Sequence, residues 1–185
     1  MIDVGAGDGH ASVRLARAHP DVLAIALDPS VDRLRDGARI ALRQRIANAL
    51  FVVAAIEDVP AELASRADEI TVNFPWGSLL RGLVQAEPRV LCGLAALAKA
   101  GACVRALLSI EDRDASSGLT ADDLVAISRR TDDLAAAGLA LEYLDVATPG
   151  EIAASGSSWA KRLGARRAVY TLRLRRLDDR TRDRY

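Results

Sequence analysis

Three glycines alternate in the stretch DVGAGDGH, Asp3 to His10. Gly5, Gly7 and Gly9 permit positive φ and let a ligand approach the backbone closely. Alone, such a turn is weak support for any ligand. Asp28 adds to it, because it stands 25 residues after Asp3 and ends the apolar run Val22–Asp28. An acid at that place accepts hydrogen bonds from ribose hydroxyls. A dinucleotide fold asks for G-x-G-x-x-G, and this turn is spaced G-x-G-x-G. A second group of residues can bind a base. Trp76 lies between Pro75 and Gly77 in TVNFPWGSLLRG, a poor context for a ring pointing into a sheet core. The chain's other tryptophan, Trp159, lies in SGSSWAKRLGARR. Two tryptophans from distant segments would sandwich one flipped base. Stacking is worth roughly 1–3 kcal/mol per base, which offsets the few kcal/mol of unstacking.

Charge points to a polyanionic partner. The net charge is zero, yet Lys161 to Arg184 holds ten basic and three acidic residues. That end therefore carries about +7 and the rest about −7. Lys161, Arg162, Arg166 and Arg167 are expected to form a contact surface for phosphates, which suits arginine's planar fork. The terminal DDRTRDRY is expected to be a disordered tail, residues 178–185, behind a single domain of residues 1–177. His10 and His19 are the two histidines. His10 reads as a polar residue at a helix start rather than a general base.

These residues need a scaffold. Strands are expected at the start of the chain and over Val22–Asp28, Ala49–Ala55, Glu69–Pro75, Ala102–Ile110, Leu139–Ala147 and Ala165–Leu177. Helices are expected from about Gly9 to Ala18, from the N-cap Ser30 to about Ile46, from Glu87 to Lys99, and from the N-cap Thr120 to about Ala137. Such alternation describes an α/β fold with a doubly wound, Rossmann-like sheet, mostly parallel. The alternation of Val169, Thr171, Leu172 and Leu174 is consistent with an antiparallel edge pair, so the last strand is expected to be antiparallel.

At 185 residues, half of them apolar, the chain has enough material for a sizeable core. No apolar run reaches the roughly 18–20 residues that span a membrane, and no secretory signal is visible, so a cytoplasmic protein is expected. Cys92 and Cys103, in apolar sequence, read as buried thiols, and two cysteines make a poor metal site.

The pattern D-x-G-x-G-x-G with a second acid resembles the class I S-adenosylmethionine-dependent methyltransferases. NFPWGSLLRG and SSWAKRL are more specific. With DVGAGDG they make the chain, from Ile2 to about Leu177, similar to the aminoglycoside-resistance 16S rRNA (adenine(1408)-N(1))-methyltransferases. The resemblance implies methyl transfer from S-adenosylmethionine to N1 of a decoding-site adenine, in helix 44 of the 30S subunit, by a monomer that acts on RNA rather than DNA. It implies that Asp3, Gly5, Gly7 and Asp28 hold the cofactor, with Ala55, Ile56 and Glu57 around its adenine. Ser78 and Ser157 would lie near its methionine end. Trp76 and Trp159 would clamp the target base, Pro75 would orient it, and Lys161, Arg162, Arg166 and Arg167 would grip rRNA. It also implies residues ahead of the glycine motif, so the first strand is expected to be cut short, through a misplaced start codon or in a shortened homologue. A tRNA guanine-N7 methyltransferase of the same fold, and a non-catalytic RNA- or cofactor-binding homologue, are the alternative readings.

Overall fold

A computed structural model of the chain describes residues 1–110, 118–160 and 168–178. Seven strands form one sheet: β1 (Ile2–Val4), β2 (Ala24–Asp28), β3 (Ala49–Val53), β4 (Ala67–Asn73), β5 (Ala98–Leu108), β6 (Leu139–Val146) and β7 (Tyr170–Arg176). Their order is β3-β2-β1-β4-β5-β7-β6. The first five are parallel, and β7 runs antiparallel to both of its neighbours, β5 and β6. β2 is buried at every position, as a strand covered on both faces must be, hence its unbroken apolar sequence. The chain winds outward from β1 to β3 and then returns to the other side of β1 as β4. That reversal opens a crevice beyond the carboxyl ends of β1 and β4.

The helices are α1 (His10–Ala18), α2 (Val31–Arg43), α3 (Gly77–Val84), α4 (Pro88–Leu97), α5 (Ala121–Ala126), α6 (Thr131–Ala136) and α7 (Pro149–Ala154). α2 begins where the sequence places it, with Ser30 Oγ accepting from Arg33 N. It buries Leu34, Gly37 and Ala41 along one stripe. A Cβ at Gly37 would stand 2.6 Å from the Asp8 carbonyl oxygen, so glycine there lets α2 press against the glycine turn. The main core joins Val4, Leu27, Ile70 and Val72 of the sheet to Leu80 of α3 and Leu94 of α4. Among the described residues, no helix is long and apolar enough to cross a membrane.

Several expectations change. The helix expected over Thr120 to Ala137 is broken by a 3₁₀ turn at Ile127–Arg129. Ser128 Oγ bonds back to the Val125 carbonyl, and Thr131-Asp132-Asp133 supplies a second helix start. α3 and α7 were not expected as helices. The cysteines are not both buried: Cys92 is exposed and Cys103 half-buried. Lys161, Arg162, Arg166, Arg167 and the tail from residue 179 lie outside the described residues.

Candidate active site

β1 delivers Asp3 to the floor of the crevice. The residue is 7% exposed, and its carboxylate accepts from Thr71 Oγ1 at 2.8 Å and Asn73 Nδ2 at 3.3 Å, both from β4. Burial pushes its pKa up to about 6. The Thr71 and Asn73 donors oppose the rise, and the like charges of Asp8 and Asp28 add to it. Neutral donors and like charges leave this buried acid without a cation among the described residues. A cationic ligand group would meet that need.

The turn after β1 carries Gly5, Gly7 and Gly9 at φ 69°, 57° and 69°. Gly7 N donates to Asp28 Oδ2 at 2.9 Å, and Ser30 N donates to Asp28 Oδ1 at 2.9 Å. Each Asp28 oxygen keeps a lone pair for a ribose hydroxyl. A Cβ built on Gly7 would meet nothing within 4 Å, so the turn faces open space there. A desolvated acid, a fixed second acid and an open glycine turn fit the ammonium, ribose and main body of S-adenosylmethionine. A neighbouring groove of about 560 Å³ shares Asp3 and Asn73 with this place but runs along α1 to His19, away from Gly5 and Asp28.

Beyond β3, Ala55 is half-buried and Glu57 exposed, while Ile56 is only 4% exposed and belongs to the main core. Ile56 is held against α4 so tightly that a Cβ on Gly93 would stand 1.9 Å from its carbonyl oxygen. The side chain of Ile56 therefore anchors the loop, and Ala55 presents the more accessible small side chain.

Beyond β4, Phe74 adopts φ 52°, the left-handed region that a phenylalanine seldom enters, and its N–H donates to Leu107 O at 2.9 Å. The tight corner buries Pro75 and turns out Trp76, which is 49% exposed, with Ser78 exposed in the first turn of α3. The Arg33 guanidinium lies over the Trp76 ring, 4.3 Å from its centroid.

The β6–β7 connection arrives at the same edge. Leu107, Ala147 and Val169 form a small apolar cluster, with Phe74 and Ile152 packed against it. The corner that carries Trp76 and the connection that carries Trp159 thus share one patch of core. Ser158 Oγ donates to Asp8 Oδ2 at 2.8 Å, which ties this connection to the glycine turn. Asp8 also lies 3.3 Å from His10 Nδ1. Ser157 Oγ accepts from Trp159 N at 3.2 Å, a local bond that shapes the chain before the half-buried indole.

The structure therefore collects Asp3, Gly5, Gly7, Asp28, Ala55, Ile56, Glu57, Pro75, Trp76, Ser78, Ser157 and Trp159 around one carboxyl edge. Sequence reasoning missed Asp8 as an anchor, Thr71 and Asn73 as partners of Asp3, and Arg33. The acid of a D-x-G-x-G-D-G turn and a polar T-V-N strand end were readable signals for the first three. Arg33 had none, since its contact joins two separate βα units.

The sheet order, glycine turn and two acids define a nucleoside-cofactor methyltransferase frame. The family model "NpmA: 16S rRNA (adenine(1408)-N(1))-methyltransferase" matches residues 1–177, and the chain belongs to that family. A curated 16S rRNA (adenine(1408)-N(1))-methyltransferase of Streptoalloteichus hindustanus is 31% identical over 181 residues, covering 90% of this chain and 81% of the relative. A solved 16S rRNA (adenine(1408)-N(1))-methyltransferase variant from Catenulisporales acidiphilia, with cosubstrate SAM, superimposes with a TM-score of 0.84 at 35% identity, covering 97% of this chain and 86% of that one. The aminoglycoside resistance methyltransferase NpmB1 gives a TM-score of 0.76 at 32% identity, over 95% and 86% of the two chains.

Proposed function

We propose that this protein transfers a methyl group from S-adenosylmethionine to N1 of adenine 1408 of 16S rRNA, acting as a monomer on helix 44 of the assembled 30S subunit in the cytoplasm. The observation that carries this reading is the shared apolar patch of Phe74, Leu107, Ala147, Ile152 and Val169, which draws the two tryptophan-bearing segments to one edge. When bound, S-adenosylmethionine supplies an electrophilic methyl group on a cationic sulfur.

The chain's own residues bind and align. Asp3 offers a buried negative charge to the ammonium group, and Asp28 offers its remaining lone pairs to the ribose hydroxyls. Trp76 and Trp159 take the faces of the flipped adenine, and the Pro75 corner fixes its height above the crevice. Ser78 and Ser157 offer hydroxyls near the methionine end. Adenine N1 carries a free lone pair at neutral pH, so no general base is needed. His10 is engaged by Asp8, in keeping with that economy. Rate enhancement comes from holding the nitrogen, methyl and leaving sulfur in line. The methylated ring becomes cationic, and tryptophan faces attract that charge by up to about 2 kcal/mol once water is excluded. Lys161, Arg162, Arg166 and Arg167 contribute phosphate contacts in this reading.

The test is methyl transfer from radiolabelled S-adenosylmethionine to 30S subunits, mapped by primer extension across the decoding site. N1 methylation blocks Watson–Crick pairing, so reverse transcriptase is expected to stop at that adenine. Methylation of tRNA instead would select the guanine-N7 reading, and salt-sensitive rRNA binding without transfer would select the non-catalytic one.

A further inference from the structure

Arg33 is the third residue of α2, and its backbone N–H bonds to the N-cap Ser30, two residues beyond Asp28. An arginine in the first turn of a helix opposes the positive end of the helix dipole, so local preference does not put it there. Its guanidinium instead lies 4.3 Å over the Trp76 ring. β2, which leads to Arg33, and β4, which leads to Trp76, are separated by β1 in the sheet. Two strand spacings amount to about 10 Å, so the pair meets across the glycine turn that lies between them. The described residues give Arg33 no carboxylate partner, whereas nearby Arg35 is paired with Asp32. Trp76 remains 49% exposed.

We infer that Arg33 is a positioning residue for base capture: it holds one face of Trp76, leaves the other face for the target adenine, and ties that platform to the Asp28 turn. This inference rests on the proposed role of Trp76 as a base platform. Arg33 pre-orders the indole before RNA arrives, so less side-chain freedom is lost on binding. Arg33 touches no reacting atom. Its effect appears in KM for the 30S subunit more than in kcat, and cofactor affinity stays unchanged.

The experiment is a double-mutant cycle on the full chain with 30S subunits, using Arg33→Ala, Arg33→Lys, Trp76→Ala and the Arg33→Ala/Trp76→Ala pair. Arg33→Ala is expected to lower kcat/KM about fivefold, as the loss of a partly exposed cation–π contact would. Arg33→Lys is expected to recover part of this, and S-adenosylmethionine affinity to stay within about twofold. In the Trp76→Ala background, Arg33→Ala is expected to cost nothing more. The same loss in both backgrounds would overturn the inference while leaving the platform reading intact. An innocuous Trp76→Ala would overturn both. A second measurement reads the contact itself. With Trp159 replaced by phenylalanine, Trp76 is the one remaining tryptophan. Arg33→Ala is then expected to shift its emission and raise acrylamide quenching, and an unchanged spectrum would overturn the inference.

Discussion

Ser158 Oγ donates a hydrogen bond to Asp8 Oδ2 at 2.8 Å, joining residues 150 positions apart. One partner belongs to the glycine turn and the other to the segment that carries Trp159. The bond fixes the segment of the second tryptophan relative to the glycine turn. A partly buried bond of this kind contributes about 1 kcal/mol, more when the acceptor is charged. Ser158→Ala is therefore expected to lower kcat/KM for 30S subunits roughly fivefold, with cofactor affinity retained. Methyl-transfer kinetics beside a calorimetric titration would check this, and an equal loss in cofactor affinity would contradict it.

The two tryptophans should separate turnover from cofactor binding. Removing one stacking face forfeits roughly 1–3 kcal/mol, a 5- to 150-fold loss. Trp76→Ala and Trp159→Ala are each expected to reduce transfer by that order and to leave S-adenosylmethionine affinity near its original value. Single-turnover assays and calorimetry on the same preparations decide the matter.

Asp3 sets function against stability. Its pKa is raised from 3.8 to about 6, so ionisation costs more in the folded chain than in the unfolded one. The contribution of Asp3 to stability is therefore full below pH 3.8 and is lost as pH rises through about 6. At neutral pH that loss amounts to up to about 3 kcal/mol in the unliganded protein. Asp3→Asn keeps an acceptor for Thr71 and removes the charge. Its unliganded form is expected to melt several degrees higher at pH 7.5, while cofactor affinity falls roughly 10- to 100-fold. In the parent protein, cofactor affinity should decline as pH falls through about 6, where Asp3 takes up a proton. Thermal melts and titrations across pH 5 to 8 test both signs.

Gly93 packs against the loop of residues 55–57. With a Cβ only 1.9 Å from the Ile56 carbonyl oxygen, Gly93→Ala forces α4 and residues 55–57 apart. Overpacking of this kind costs about 1–3 kcal/mol, or roughly 2–12 °C in melting temperature for a chain of this length. Cofactor affinity is expected to fall as well, through the displacement of residues 55–57. A lowered melting temperature with unchanged cofactor affinity would show that the loop position does not depend on this contact.

Local chemistry and long-range geometry were unequally readable from the residues. The glycine turn, Asp28, Ser30 as an N-cap and the seven strands each rest on signals a few residues long, and all seven strands occur, shifted mostly by one to five residues. α7 announces itself too: Thr148 and Glu151 form a capping box with Pro149 behind the cap. That signal lies between the strand expected to end at Ala147 and the tryptophan segment that begins at Ser155. α3 was hidden for a similar reason, since Leu79, Leu80, Leu83 and Val84 have helical spacing but follow directly on the NFPW corner. The burial expected for Cys92 came from its apolar neighbours Val90, Leu91 and Leu94, which face inward while Cys92 points off the same helix. Contacts such as Arg33 with Trp76 or Ser158 with Asp8 depend on how separate units are arranged in the sheet, which no short window encodes.

The connection between β6 and β7 starts and ends at a closed rung, with Val146 paired to Tyr170 and Ala147 N bonded to Val169 O at 2.7 Å. A loop pinned at its base tolerates changes in length at small cost, about 0.6 kcal/mol for each doubling, because closure entropy grows only with the logarithm of length. The segment that carries Trp159 can therefore change in length while the sheet stays as it is, provided that Ser158 still reaches Asp8 and Ile152 still packs against the apolar patch it shares with Phe74. Under the proposed function, rewriting this one excursion is a route to a new RNA target that keeps the methyl-donor half of the enzyme. Grafting the connection between relatives of different target preference, cut at Val146 and Tyr170, is the natural way to move that preference.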